Sequence, residues 1–99
     1  MSTKFEELEA KYMFEELGYK YLGGSDYIAI KYFKREEQKE NYSTFDIDIT
    51  FYSTSKTVSI VANELGKNTY KLAIMDIDMK LLQAINKQIK ELGWNNVKD

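Results

Sequence analysis

The sequence predicts an α+β domain in which helices at the two ends of the chain pack on one face of an antiparallel sheet of four or five strands. Apolar residues recur at helical spacing near both ends of the chain, and they alternate with polar residues between those ends. The connections between the alternating segments are short, which favours antiparallel neighbours. We therefore expect a single domain over residues 1–99 with the order α-β-β-β-β-α.

The first helix is predicted over residues 3–17. It should end at Gly18, within the stretch FEELGY at residues 14–19. If Gly18 is the first residue past the helix, then Phe14 and Tyr19 occupy the two positions that touch in a Schellman cap. The stretch therefore predicts a helix end held by an aromatic pair.

The last helix is predicted from residue 79 to about residue 92, with Asp78 as its N-cap. The stretch IKELGW at residues 89–94 repeats the first helix end, with Gly93 and Trp94 in the places of Gly18 and Tyr19. One face of this helix carries apolar residues three and four positions apart, namely Leu82, Ile85, Ile89 and Leu92.

Four strands are predicted between the helices. The clearest alternation is STFDIDITFYS at residues 43–53, and the other strands are predicted at 27–33, 57–62 and 69–75. Residues 19–22 form a short additional strand candidate, and the charged residues 34–41 form a loop or a strand extension. In the strand at 69–75 the alternation predicts that the inward side chains are Tyr70, Leu72 and Ile74.

The composition excludes several kinds of chemistry. The 99 residues include no cysteine and no histidine, which removes disulfides, thiol nucleophiles, the commonest general base and the commonest metal ligand. The net charge of −2 lacks the basic excess of a typical nucleic-acid binder. No apolar run is long enough for a membrane span. We therefore expect a cytoplasmic protein that is not an enzyme and carries no cofactor.

Two carboxylates stand side by side on the predicted central strand. Asp46 and Asp48 are two residues apart, so they point to one sheet face, and the alternation predicts that Lys31 and Lys71 share it. Paired carboxylates suit Mg²⁺ or Mn²⁺, which makes a metal-dependent nuclease one hypothesis. Because two aspartates at this spacing are weakly specific, a solvent-facing polar surface is favoured over a metal site.

Eight tyrosines are the other compositional excess. Exposed aromatic residues on a sheet can stack nucleobases, but that mode also needs a basic groove, which the balanced charge disfavours. Tyrosine is also enriched at protein interfaces, because it buries much area with little loss of rotamer entropy. A protein interface is therefore the better-supported use of exposed tyrosines.

The first helix carries two apolar stripes. Ala10, Met13, Phe14 and Leu17 form one of them, and Phe5, Leu8 and Tyr12 form the other. One stripe can lie on the sheet, and the second then needs another partner or stays exposed. The second stripe predicts a homodimer contact or another protein interface.

The stretch MFEELGY at 13–19, the strand STFDIDITFYS with its following TVSI, and LLQAINKQIKELGW at 81–94 resemble a group of small proteins encoded by phages and prophages of Gram-positive bacteria. The resemblance covers roughly residues 12–94, and residues 1–11 are an N-terminal extension to it. The group brings no catalytic residues to this chain. The resemblance implies a phage-type accessory protein that binds and blocks a host or phage protein, for example an inhibitor of a host defence system such as an anti-CRISPR protein.

Three functional hypotheses follow. The first is protein–protein binding, with candidate contact residues Phe5, Leu8, Tyr12, Tyr27 and Tyr52. The alternative is a small-ligand or nucleic-acid binding module that uses the polar sheet face, with candidate residues Lys31, Asp46, Asp48 and Lys71. The third is the Mg²⁺- or Mn²⁺-dependent nuclease at Asp46 and Asp48.

Overall fold

The computed structural model describes residues 9–25, 28–38, 43–66 and 70–94. It confirms the predicted α+β class, with five strands in the order α-β-β-β-β-β-α. The elements are α1 (Ala10–Glu16), β1 (Lys20–Ser25), β2 (Ala29–Gln38), β3 (Ser43–Tyr52), β4 (Thr57–Leu65), β5 (Tyr70–Leu72) and α2 (Met79–Glu91). The additional strand predicted at 19–22 is β1. No helix within the described ranges has the length and apolarity to cross a membrane.

The five strands form one antiparallel sheet in chain order, β1-β2-β3-β4-β5, so β1 and β5 are its edges. The strands β2 and β3 pair over ten residues, because β2 continues through the charged residues 34–38. That part of the charged stretch is therefore the predicted strand extension rather than a loop. The β1–β2 pairing contains one irregularity, between Tyr21 and Gly23.

The end of α1 has the predicted cap. The Tyr19 N–H donates to the Phe14 carbonyl at 2.9 Å and the Gly18 N–H to the Glu15 carbonyl at 3.0 Å, which is the Schellman pattern. Gly18 has a φ of 92°, in the region where glycine carries no steric penalty. The rings of Phe14 and Tyr19 meet edge to face with centroids 5.8 Å apart. The cap thus turns the chain from α1 directly into β1.

The start of α2 is also as predicted. The Asp78 carboxylate accepts a hydrogen bond from the Leu81 N–H at 2.8 Å and caps the helix. At the other end, Gly93 has a φ of 78° and its N–H donates to the Lys90 carbonyl at 3.0 Å. Trp94 follows and approaches Phe51, with ring centroids 6.2 Å apart. The second glycine-aromatic helix end therefore directs its aromatic residue onto the core.

Both helices lie on one face of the sheet and share a single core. Phe14 of α1 is fully buried and stacks on Tyr32 of β2, with centroids 3.9 Å apart and rings 20° from parallel. The Tyr32 hydroxyl donates to Oε1 of Gln88 at 2.6 Å, which satisfies two buried polar groups and ties α2 to β2. The buried residues around them are Tyr19, Ile30, Ile47, Ile49, Phe51, Ala62, Leu81, Ala84 and Ile85.

The helices also hold each other. Glu91, in the last turn of α2, accepts a hydrogen bond through Oε2 from the Ala10 N–H at 2.8 Å. Glu9, the N-cap residue of α1, makes no side-chain cap of its own. A carboxylate at a helix N-terminus is favoured by the free N–H groups and by the helix dipole. Glu91 of α2 therefore caps the N-terminus of α1 in place of a side chain from the residue that precedes α1.

The inward prediction for the strand at 69–75 is wrong for Leu72 and Ile74. Leu72 is 76% exposed and Ile74 is 98% exposed, whereas Ala73 and Met75 pack against the core. The Ala73 N–H donates to the Ala62 carbonyl at 2.8 Å, which fixes Ala73 on the helix-covered side. A shift of one residue exchanges the two faces of a strand, and here the pairing with β4 decides the register against the stronger apolar pattern.

Candidate functional site

A cavity of about 440 Å³ opens on the helix-covered side of the sheet, at the end that the two helices leave uncovered. Its floor is apolar and comes from β3, β4 and the first turn of α2, through Phe45, Ile47, Ala62 and Leu81. Its volume lies in the range of ordinary ligand sites. We call this space the helix-end cavity.

The rim of the helix-end cavity is charged. Glu36, Asp76 and Asp78 contribute three carboxylates and Lys34 one ammonium group, so the rim carries two negative charges in excess. Lys34 Nζ lies 2.9 Å from Oε1 of Glu36, and both side chains are partly exposed. The helix cap leaves one oxygen of Asp78 outside its hydrogen bond to the Leu81 N–H. The rim is therefore electrostatically suited to a cation.

Tyr19 forms one wall of the helix-end cavity. It follows the cap of α1 and is only 5% exposed, and Lys34 Nζ lies 5.4 Å from the centre of its ring. Burial, and then the negative charges of Glu36 and Asp78, raise the pKa of Tyr19 to about 12. The phenol is therefore neutral across the physiological pH range and can donate a hydrogen bond.

The raised pKa of Tyr19 predicts a loss of stability in alkali. Because the folded state keeps the phenol proton more tightly than the unfolded chain, its stabilising effect is complete below pH 10.0 and declines as the pH rises to about 12. We expect urea midpoints to fall over that interval, and to fall less steeply in Tyr19→Phe, which has no proton to lose. If the urea midpoints of the natural chain and of Tyr19→Phe fell equally with pH, the raised pKa would not belong to Tyr19.

Next to the cavity lies a concentration of exposed apolar side chains. Five large apolar residues between positions 72 and 82 are each at least 41% exposed, namely Leu72, Ile74, Ile77, Met79 and Leu82. We call these five residues the apolar ridge. Met79 and Leu82 are three apart and share one face of α2. Ile74 also lines the mouth of the helix-end cavity, so the ridge and the cavity adjoin.

The opposite sheet face has no described helix against it and carries an ion pair. Arg35 and Asp46 lie directly across from each other on β2 and β3. The guanidinium donates from Nε to Oδ1 at 2.6 Å and from Nη2 to Oδ2 at 2.7 Å. The hydrogen bonds and the charge of Arg35 hold the pKa of Asp46 below its usual range. Both oxygens of Asp46 are thus engaged by Arg35.

The structure brings only part of the predicted polar face together. Asp48 is opposite Phe33, and Lys31 is opposite Thr50, on the same face as Asp46. The prediction for Lys71 is wrong, because it is opposite Glu64, which is opposite Phe45, on the helix-covered side. Within the described ranges, no group of three or more acidic, histidine or cysteine side chains is arranged to hold a metal ion. The engagement of Asp46 by Arg35 further disfavours a cation at Asp46 and Asp48.

The structure describes two of the five predicted contact residues, and both are exposed. Tyr12 is 56% exposed on α1 and Tyr52 is 45% exposed at the end of β3, so both are accessible. Phe5, Leu8 and Tyr27 lie outside the described residues. The other predicted stripe of the first helix faces the core, where Ala10 and Phe14 are buried.

Sequence reasoning missed both the apolar ridge and the helix-end cavity. The ridge is not evident from the sequence, because the alternation in residues 69–75 predicts that Leu72 and Ile74 point inward. A usable signal was the run MDIDM at residues 75–79, in which apolar residues alternate with acids just before a helix and after a strand that has already ended. The cavity has no signal in local sequence, because its lining comes from residues 17 to 81.

In comparisons with protein-family models, curated proteins and solved structures, nothing matches this chain.

Proposed function

We propose that this protein acts by binding another protein, and that the apolar ridge is the centre of its contact surface. The supporting observation is the exposure of five large apolar side chains within eleven consecutive positions, 72–82. Concentrations of exposed apolar side chains on a soluble protein are a feature of binding surfaces. Apolar groups that are buried on association supply the largest favourable term in most protein interfaces.

The position of the ridge supports this use. It begins at β5, an edge strand of three residues, and continues through residues 73–78 into α2. The segment is anchored on both sides, by the hydrogen bond from Ala73 to Ala62 and by the Asp78 cap of α2. The ridge is therefore held in shape before it binds, which lowers the entropy lost on association.

The resemblance to small phage and prophage proteins of Gram-positive bacteria gives this binding a setting. In that setting the protein is an accessory protein whose partner is a host or phage protein, and an anti-CRISPR or other anti-defence inhibitor is the kind of role we propose. A protein of this kind acts by occupying a surface and needs no catalytic group of its own. Its place of action is the cytoplasm of the bacterial host.

The polar sheet face is the weaker candidate for the binding surface. Its Arg35–Asp46 pair satisfies two of its charges internally, and Lys71 lies on the other side of the sheet. The described part of the first helix offers little apolar area for a homodimer. Ala10 and Phe14 are buried in the core, and Tyr12 is the exposed aromatic residue of that part. A second copy of this chain is still one outcome of the capture experiment.

The test is quantitative affinity capture from a nuclease-treated lysate of a Gram-positive host, comparing the natural chain with Ile74→Ser/Met79→Ser. Both side chains are mostly exposed, so the double variant should keep its thermal stability. If these residues anchor the partner, we expect binding to weaken by about 2 kcal/mol or more, roughly 30-fold.

The matched control is Leu22→Ser/Ile28→Ser, which removes two exposed apolar side chains near the β1 edge of the sheet. It should capture the partner as well as the natural chain does. Equal loss in both double variants, or a partner retained by the ridge variant, contradicts the proposal. The proposal is also contradicted if the natural chain captures no protein from the nuclease-treated lysate. Sedimentation of the purified chain identifies the case in which the captured partner is a second copy.

A further inference from the structure

The geometry points to a basic side chain of the partner protein, with arginine the best fit, inserting into the helix-end cavity while aliphatic residues beside it cover the apolar ridge. This inference rests on the proposed function and names the chemistry of the partner at that surface. It follows from three features of the cavity, namely its charge, its floor and its position.

The charge of the rim selects a cation. Glu36, Asp76 and Asp78 outnumber Lys34, which leaves two negative charges in excess around one opening. Lys34 is already paired with Glu36 at 2.9 Å, so Asp76 and the second oxygen of Asp78 remain as acceptors. Two carboxylates at one opening match the planar donor fork of a guanidinium better than the point charge of an ammonium group.

The apolar floor of the cavity favours a basic side chain whose charged end is carried by methylene groups. Phe45, Ile47 and Leu81 line it, so the methylene groups of a long basic side chain would contact apolar atoms while the charged end stays at the rim. The cavity volume of about 440 Å³ lies in the range of ordinary ligand sites, which leaves room for an arginine side chain.

The position favours a side chain of a protein over a free small molecule. Ile74 belongs both to the mouth of the cavity and to the apolar ridge, and it is 98% exposed. A partner that covers Ile74 therefore passes directly over the opening of the cavity. A pocket filled by a long side chain and surrounded by apolar contacts that exclude water is the usual form of a binding hot spot.

The test uses a defined probe, the capped tripeptide acetyl-Leu-Arg-Leu-amide, titrated into the ¹⁵N-labelled full chain and followed by NMR. The same peptide with citrulline in place of arginine is its neutral control, because citrulline keeps the shape of arginine and lacks the charge. We expect the arginine peptide to shift the amide signals of Tyr19, Ile47 and Met75 at millimolar concentration. The citrulline peptide should bind about fivefold more weakly or not detectably.

Protein variants locate the binding charge. Glu36→Gln and Asp76→Asn each remove one rim carboxylate from an exposed position and should each weaken the arginine peptide by up to about fivefold. Glu37→Gln is the matched control, because it changes the net charge equally but lies across from Thr44, whose neighbours on β3 place it on the other sheet face. The Glu37→Gln variant should bind the arginine peptide with the same affinity as the natural chain.

The outcomes separate this inference from the function on which it rests. Equal binding of the two peptides, equal effects of Asp76→Asn and Glu37→Gln, or signal shifts outside the cavity would overturn the inference, even if partner capture depends on the ridge. Conversely, arginine-dependent shifts at the cavity support it. If partner capture then proves independent of the ridge, the proposed contact surface fails and the cavity stands as a separate site for a basic group.

Discussion

Replacing Phe14 by alanine should lower the free energy of unfolding by about 3–5 kcal/mol. The side chain is completely buried, stacks on Tyr32 at 3.9 Å, and meets Tyr19 and Phe51 edge to face at 5.8 and 6.1 Å. Its removal leaves a void among aromatic rings that small shifts cannot close. For a domain of this size the loss is a large part of the total stability.

The control for this prediction is Tyr12→Ala on the same helix. Tyr12 is also aromatic and has a similar helix propensity, but it is 56% exposed, so its removal should change the free energy of unfolding by less than about 0.5 kcal/mol. Urea unfolding followed by circular dichroism measures both variants. Because alanine has a higher helix propensity than either aromatic residue, similar losses for the two would mean that Phe14 is packed no more tightly than Tyr12.

The helix ends could be predicted from the sequence because they depend on few neighbouring residues. The Phe14–Tyr19 cap needs only a glycine at position 18 and an apolar pair five apart, and the Asp78 cap needs only a carboxylate three residues before a free N–H. The alternation of β3 is equally local, since one face must be buried. These elements were predicted correctly for the same physical reason.

The register of β5 could not be predicted in this way. Residues 70–75 contain two interleaved sets, and the more apolar set, with Leu72 and Ile74, is the one that faces solvent. The choice is made by pairing with β4, which places Ala73 opposite Ala62 beneath the helices. Ala62 and Ala73 are eleven residues apart, so the alternation within residues 70–75 alone does not contain the information.

The misassigned register also explains why the apolar ridge is not among the predicted contact residues. With Leu72 and Ile74 assumed inward, exposed apolar area remained only at the first helix and the tyrosines. Two of the eight tyrosines, Tyr19 and Tyr32, are core residues, and the Tyr32 hydroxyl donates a hydrogen bond to Gln88. The excess of tyrosine therefore serves packing at least in part, and exposed aliphatic residues carry the candidate interface.

Gly24→Ala should lower the free energy of unfolding by about 2–6 kcal/mol, through backbone strain and overpacking that each contribute about 1–3 kcal/mol. A Cβ at this position would lie 2.0 Å from the carbonyl oxygen of Ala29 on the paired strand, and the residue has a φ of 130°, which side chains rarely adopt. Since the backbone carbonyl of Ala29 cannot give way cheaply, β1 must separate from β2 at this end.

Gly23→Ala separates the two causes, because Gly23 also has a positive φ, of 89°, but a Cβ there would meet nothing within 4 Å. It should lose only the conformational term, about 1–2 kcal/mol. Chemical denaturation of both variants gives the difference, and hydrogen exchange of the β1 amides shows where the structure opens. A loss in Gly23→Ala as large as that in Gly24→Ala would mean that β1 does not approach Ala29 closely. In that case the pairing that carries the chain from α1 into the sheet would have a different register.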